Sequence, residues 1–167
     1  MDYQHVTVSR VDLHENLPEI GRLIRTSYAP VAAQFNITRE NCANHPAYQA
    51  DDLLLAKLDL PGAIHLTARN CDGEIIGFAS AVPTKRRVFE GLRFCVMPEY
   101  QGFGVGNTLL DKLLHELRQG KARKLKIRLI DANEPLKQWY LRRGFVQTAK
   151  REYPGLPFVV CRMQRKL

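Results

Sequence analysis

The run Gln101-Gly102-Phe103-Gly104-Val105-Gly106-Asn107 carries the strongest chemical signal in this chain. Glycine permits tight turns and leaves no Cβ between the backbone amides and a ligand. The residues before it, Leu92, Phe94 and Val96, alternate as a strand requires, and Pro98 stops the run. The residues after it, Leu109, Leu110, Leu113, Leu114 and Leu117, share one helical face. A strand, a glycine turn and a helix start together make an anion site. The first helical amides lack internal partners, and the helix dipole adds partial positive charge there. Two familiar phosphate loops are excluded. The triphosphate loop needs Lys-Ser/Thr after its last glycine, where this chain has Asn107-Thr108. The dinucleotide fingerprint needs a different glycine spacing and an acidic residue about twenty positions on, and neither is present.

A third pattern fits. Gln101-x-x-Gly104-x-Gly106 after a strand and a proline resembles the pyrophosphate loop of the GNAT acetyltransferase superfamily, whose members move an acetyl group from acetyl-CoA to an amine. A second block agrees. Lys124–Ile130 alternates as a strand. Asp131 to Phe145 then reads as a capped helix, with Asn133 at the N-cap, Pro135 in the first turn and Gly144 at the stop. This resembles the superfamily's second cofactor motif, in which a tyrosine lies close to the Gly-Phe that leads into the next strand; Tyr140 falls in that place. The two blocks span about Val88 to Gln147.

The resemblance implies a set of roles. The amides of Gln101, Gly102, Phe103, Gly104, Val105, Gly106 and Asn107 surround the pyrophosphate. Backbone groups of Phe94, Cys95 and Val96 pair with pantetheine, and one of their amides donates to the acetyl oxygen, a role worth about 3 kcal/mol. As side chains, Phe94 and Val96 are ordinary core. Tyr140 is the candidate proton donor to the departing sulfur, since a phenol is protonated at neutral pH; the alternative is a packed aromatic with its hydroxyl satisfied. Asn133 caps its helix and is also placed to meet pantetheine. Glu90 is the candidate base for the attacking amine, its place resembling that of the glutamate in the histone-type members; a solvated strand-edge glutamate or a water chain is the alternative. Phe35, Cys42 and His45 lie between the first two helices, a segment that walls the acceptor pocket in the family. Cys42 and His45 are three apart, but zinc wants about four ligands and no second pair stands nearby. No metal is expected.

Composition narrows the classes. A chain of 167 residues suits one domain, read as 1–167, with room for a proper core. No run approaches a membrane span, and Met1-Asp-Tyr-Gln-His5 does not read as a signal peptide. The four cysteines are widely spaced without Cys-x-x-Cys, so reduced thiols and a cytoplasmic location are expected. The net charge of +8 suits a solvated basic surface, part of it attracting the phosphates of coenzyme A. Nucleic acid is an unfavoured partner, since no recognition helix, zinc ligands or interleaved aromatics accompany the charge. A homodimer stays open.

The elements that must position these residues follow in order. A first strand is expected over His5–Val11 and a helix over Leu17–Phe35, with Ile20, Leu23, Ile24 and Ser27 on one side and Pro30 kinking or ending part of it. A second helix is expected over Pro46–Leu58, then strands Ile64–Asn70 and Ile75–Val82 around a turn at Cys71-Asp72-Gly73-Glu74. After the two cofactor blocks, Phe145–Tyr153 and Pro157–Met163 read as closing strands. The resemblance implies an α/β (α+β) fold, a mixed, mostly antiparallel sheet of about seven strands flanked by about four helices, in the order β-α-α-β-β-β-α-β-α-β-β. Two functions remain open at this point: an acetyl-CoA-dependent N-acetyltransferase working on a primary amine by direct attack in a ternary complex, and a non-catalytic acyl-CoA-binding sensor or scaffold.

Overall fold

The computed structural model describes residues 6–167. Alternating apolar strands and two amphipathic helix pairs sort into three layers. The elements are β1 (Thr7–Arg10), α1 (Leu17–Gln34), α2 (Asp51–Leu58), β2 (Ile64–Arg69), β3 (Ile75–Lys85), β4 (Val88–Val96), α3 (Val105–Gln119), β5 (Lys124–Ile130), α4 (Glu134–Leu141), β6 (Val146–Arg151) and β7 (Val160–Lys166). The strands form one sheet in the order β1-β2-β3-β4-β5-β7-β6. Every neighbouring pair is antiparallel except β4 and β5. The expected fold class and element order are borne out. Among the described residues no helix is long and apolar enough to cross a membrane.

The α3 leucines Leu109, Leu110, Leu113, Leu114 and Leu117 are all buried, on one sheet face with Leu66, Ile76, Leu125, Ile127, Tyr140 and Phe145. The other face carries α1 and α2 through Ile20, Leu23, Ile24, Leu54 and Leu58, packed on Ile75, Phe78 and Cys95. Each fully buried leucine of this kind contributes about 1.5–3 kcal/mol of transfer free energy. The β2–β3 hairpin closes where expected. Gly73 takes φ 81°, and the Asn70 side chain accepts from the amides of Asp72 and Glu74.

One irregularity matters more than the rest. Phe78 faces Cys95 across β3–β4, yet Ser80 faces Leu92, so Arg93 and Phe94 together oppose Ala79. This is a β-bulge, with Arg93 at φ 55°. It overturns the expectation that Leu92, Phe94 and Val96 share a face. Phe94 and Val96 pack on the α3 side, but Leu92 joins Cys95 on the α1 side. The extra residue reverses the alternation once. The bulge also coincides with a parting of strands. β4 pairs with β5 only from Val88 to Glu90, while β5 stays paired to β7 along its length. The Gly91–Val96 half of β4 therefore has no strand on its β5 side.

Several boundaries differ from expectation. Pro30 does not end α1, which runs unbroken to Gln34; Pro30 only leaves the Thr26 carbonyl without its donor. α2 starts at Asp51 rather than Pro46, with Asp51 and Asp52 in its first turn to complement the helix dipole. Pro46 sits in the turns before it. β3 continues to Lys85. β7 begins at Val160, opposite the last residue of β5, Ile130. β1 covers Thr7–Arg10, and His5 lies outside the described residues.

Candidate active site

The glycine loop and the parted strands meet at the start of α3. Gly104 is the N-cap residue at φ 86°, and no side chain caps the helix. Gly102 takes φ 84°, and a Cβ built at either glycine meets nothing within 4 Å. Both conformations favour glycine, and the backbone there faces open space. Among the described residues, none accepts from the amides of Gly102, Gly104, Val105 or Gly106. Gly106 differs: a Cβ there would meet Trp139 Cζ2 at 3.6 Å, Val96 Cγ2 at 3.8 Å and Phe94 Cε1 at 3.9 Å. It lets the helix start lie against β4 and α4. A diphosphate fits this setting, since unpaired amides at a helix N-terminus match its charge and acceptors.

The expected ring of amides is narrower than the sequence suggested. The Gln101 amide already donates to the Pro98 carbonyl at 3.2 Å, and the Asn107 amide to the Gly104 carbonyl at 2.9 Å. Their side chains brace the loop instead. Gln101 Nε2 donates to the Val96 carbonyl at 2.9 Å, and Asn107 Oδ1 accepts from Arg143 Nη2. Arg143 stacks 3.9 Å over the Trp139 ring and donates to the Trp139 carbonyl at 3.0 Å. A cation thus stands beside the loop, within the basic Arg142-Arg143 pair.

Tyr140 is buried at 6% exposure, with ring centroids 4.9 Å from Trp139, 5.0 Å from Phe145 and 6.4 Å from Phe94. Burial raises its phenol above the ordinary value, and ionised Tyr28 or Cys95 would raise it further. It is a protonated group across the working pH range. Asn133 caps α4 as expected, accepting from the Leu136 amide at 3.4 Å.

Phe94, Cys95 and Val96 line the unpaired stretch of β4. Their carbonyls are met by side chains: Tyr28 Oη donates to Phe94 at 3.2 Å and Gln101 takes Val96. Burial pushes the Cys95 thiol up to about 12, so it is no nucleophile. Glu90 lies where β4 and β5 part, with Oε1 accepting from Arg128 Nε.

The three residues expected to face an acceptor lie side by side under and beyond the end of α1. Phe35 and Cys42 join Ala32, Ile37, Ile130 and Phe158 in a small apolar cluster under the end of α1. His45 borders that cluster, its amide donating to the Cys42 carbonyl at 3.0 Å and its ring 6.2 Å from Tyr48, and it also reaches toward the bulge. Its ring meets Tyr28 edge-on at 5.9 Å, and its Nδ1 accepts from the Ala47 amide at 3.3 Å. Among the described residues no group of three metal-ligating side chains forms. Tyr28, Gln49 and Arg93 were missed from the sequence. Tyr28 has a signal, one turn beyond Ile24 on the buried face of α1; for Arg93 the only hint is Gly91 within the same strand.

Comparison with known proteins decides the family. The model of the acetyltransferase (GNAT) family matches residues 31–145. This chain belongs to the GNAT acetyltransferase family. Membership carries the enzyme class, an N-acetyltransferase, with it. No curated protein matches the chain. Solved structures share its fold. The ribosomal-protein-S18-alanine N-acetyltransferase from Escherichia coli has a TM-score of 0.77 at 16% identity, covering 97% of this chain and 94% of its own. A GNAT acetyltransferase from Staphylococcus aureus gives 0.74 at 17%, covering 98% and 99%. A PaiA N-acetyltransferase from Thermoplasma acidophilum, solved with coenzyme A, gives 0.72 at 18%, covering 98% and 100%.

His45 generates a pH prediction. Burial, and then the Arg93 guanidinium, lowers its imidazole to about 4. The unfolded chain titrates near 6.5. Between those values the unfolded state holds a proton that the folded state refuses, so this contribution is full above pH 6.5 and lost as pH falls towards 4. The urea midpoint of wild type should therefore drop more between pH 7 and pH 4.5 than that of His45→Asn. Equal drops would show that His45 is not excluded from protonation in the fold.

Proposed function

We propose that this acetyltransferase uses acetyl-CoA as donor and a primary amine of a small molecule, peptide or protein as acceptor, by direct attack in a ternary complex. The observation that carries this is the set of amides at Gly104, Val105 and Gly106 from which no described residue accepts, beside a β4 edge that β5 leaves open. Support comes also from a fold relative that was solved with coenzyme A. The amides of Gly102 and of Gly104 to Gly106 hold the pyrophosphate, and Arg143 adds positive charge. The backbone of Phe94, Cys95 and Val96 provides the pairing edge and the donor to the acetyl oxygen. Acetyl-CoA, when bound, supplies its acetyl group as a thioester.

The chain's residues then manage protons. An amine with a pKa near 10 arrives charged and must lose a proton before it attacks. Glu90 receives that proton, directly or through water, from its place where the strands part. Tyr140 holds its proton toward the departing sulfur. A thiol's reference pKa is near 8.5, below that of this phenol, so Tyr140 stabilises the thiolate chiefly as a hydrogen-bond donor. Counted from the charged amine, two N–H bonds and one C–S bond break and one C–N bond forms; one proton leaves by way of Glu90 and the other ends on the sulfur.

Calorimetry with acetyl-CoA and a CoA-release assay over an amine panel test this reading. Gly104→Asp should weaken acetyl-CoA at least tenfold by placing bulk and negative charge beside the diphosphate; unchanged affinity would count against the loop. Tyr140→Phe should lower kcat by about 100–1,000-fold, the range for losing one catalytic donor, with cofactor affinity kept, and wild-type turnover would remove its role. Glu90→Gln should flatten the acidic limb of kcat against pH. An unaltered limb would assign the proton to a water chain instead. Binding of acetyl-CoA with no acceptor-dependent CoA release from any amine would mark a sensor module.

A further inference from the structure

Arg93 is largely buried without a carboxylate to balance it. At the β4 bulge its Nη2 donates to Gln49 Oε1 at 2.6 Å. Its Nε is enclosed and has no acceptor. Among the described residues Nη1 has no partner either. Gln49 is itself buried, and its Nε2 is a second enclosed donor without an acceptor. Two orphaned donors thus belong to one bonded pair. No carboxylate pairs with Arg93 among the described residues: Asp51 bonds Arg25 at 2.6 Å and Glu90 bonds Arg128. The other charged groups that feel Arg93 are Arg128 and Lys57, both cations, while His45 is held neutral.

A buried cation with no counter-charge is costly, and so is each enclosed donor without an acceptor. An anion with two oxygens would suit the planar guanidinium fork and the Gln49 amide together. Its place is next to the chemistry. The residue after Arg93 is Phe94, whose carbonyl Tyr28 holds, and the unpaired β4 edge runs on from there. An amine joined to a carboxylate by a short carbon spacer would reach that edge with its acid on Arg93.

We propose that the acceptor is a small amino acid-type molecule whose carboxylate is received by Arg93 and Gln49, an inference that rests on the acetyl-transfer reading above. The competing role is structural, with Arg93 pinning the segment before α2 through Gln49.

The test compares free L-amino acids and β-alanine with their own carboxamides. Acetyl-CoA binding is measured first, by calorimetry. CoA release is then followed for every pair, and thermal stabilisation of the CoA-loaded protein is read in parallel. An α-carboxamide makes its amine less basic, so bare chemistry favours the amide. The expected result is the opposite: kcat/KM at least tenfold higher for the acid in the preferred pair. Arg93→Gln should bring that acid-to-amide ratio towards one, mainly through KM, and Arg93→Lys should keep part of it. Should Arg93→Gln fail to fold, the wild-type ratio decides, together with its reduction in Gln49→Leu. Amides used as well as acids would overturn the proposal. So would a protein that binds acetyl-CoA while no acid is turned over or stabilises it. Failure to bind acetyl-CoA would instead strike the cofactor reading on which the inference stands.

Discussion

The bulge at Arg93 is the constraint on which the rest depends. One extra residue on β4 reverses its alternation, sends Leu92 and Cys95 to the α1 side, and leaves Phe94 and Val96 on the α3 side. The strand then parts from β5 after Glu90. A regular strand would have continued the ladder and spent these backbone groups within the sheet. The parting leaves peptide edges, and side chains from two elements bond to them: Tyr28 from α1 and Gln101 from the loop. The positive φ of Arg93 is sparsely populated for a residue with a side chain, so the surrounding packing must hold it.

The glycine loop solves a complementary problem. α3 is anchored by five buried leucines, so its direction is set by the core. Its N-terminal amides are aimed by that anchoring rather than by the loop. Gly102 and Gly104 only turn the chain, and Gly106 allows close approach to Trp139 and β4. The anion-binding end and the hydrophobic end of one helix are therefore the same structural decision. Function of this kind belongs to the site, since the fold alone serves relatives with different named activities.

Much of this was legible in the residues. The three-four spacing of Leu109 to Leu117, the Asn133 cap and the Gly73 turn are local signals, and local physics sets them. Family resemblance located the loop and Tyr140. What stayed hidden was tertiary. Arg93 itself is not the glycine or asparagine that usually marks a positive φ, and the only local hint is Gly91, two residues earlier in the strand. The spacing of Leu92, Phe94 and Val96 was therefore read as one face. Pro46 looked like a helix start, but the chain turns until the acidic pair at Asp51 begins α2. The resemblance places Phe35, Cys42 and His45 on an acceptor wall; Phe35 and Cys42 pack partly buried on Ala32 and Ile37, a contact set by tertiary packing. The roles of Gln101 and Asn107 as braces depend on partners in β4 and after α4.

The Trp139 arrangement has a practical corollary. The chain contains one tryptophan, and that indole packs against Gly106 with a guanidinium stacked over its ring. Any anion that draws Arg143 away would change the polarity seen by this single fluorophore. The molecule therefore carries a built-in optical gauge at the threshold of its own loop, free of background from other indoles and readable without a label.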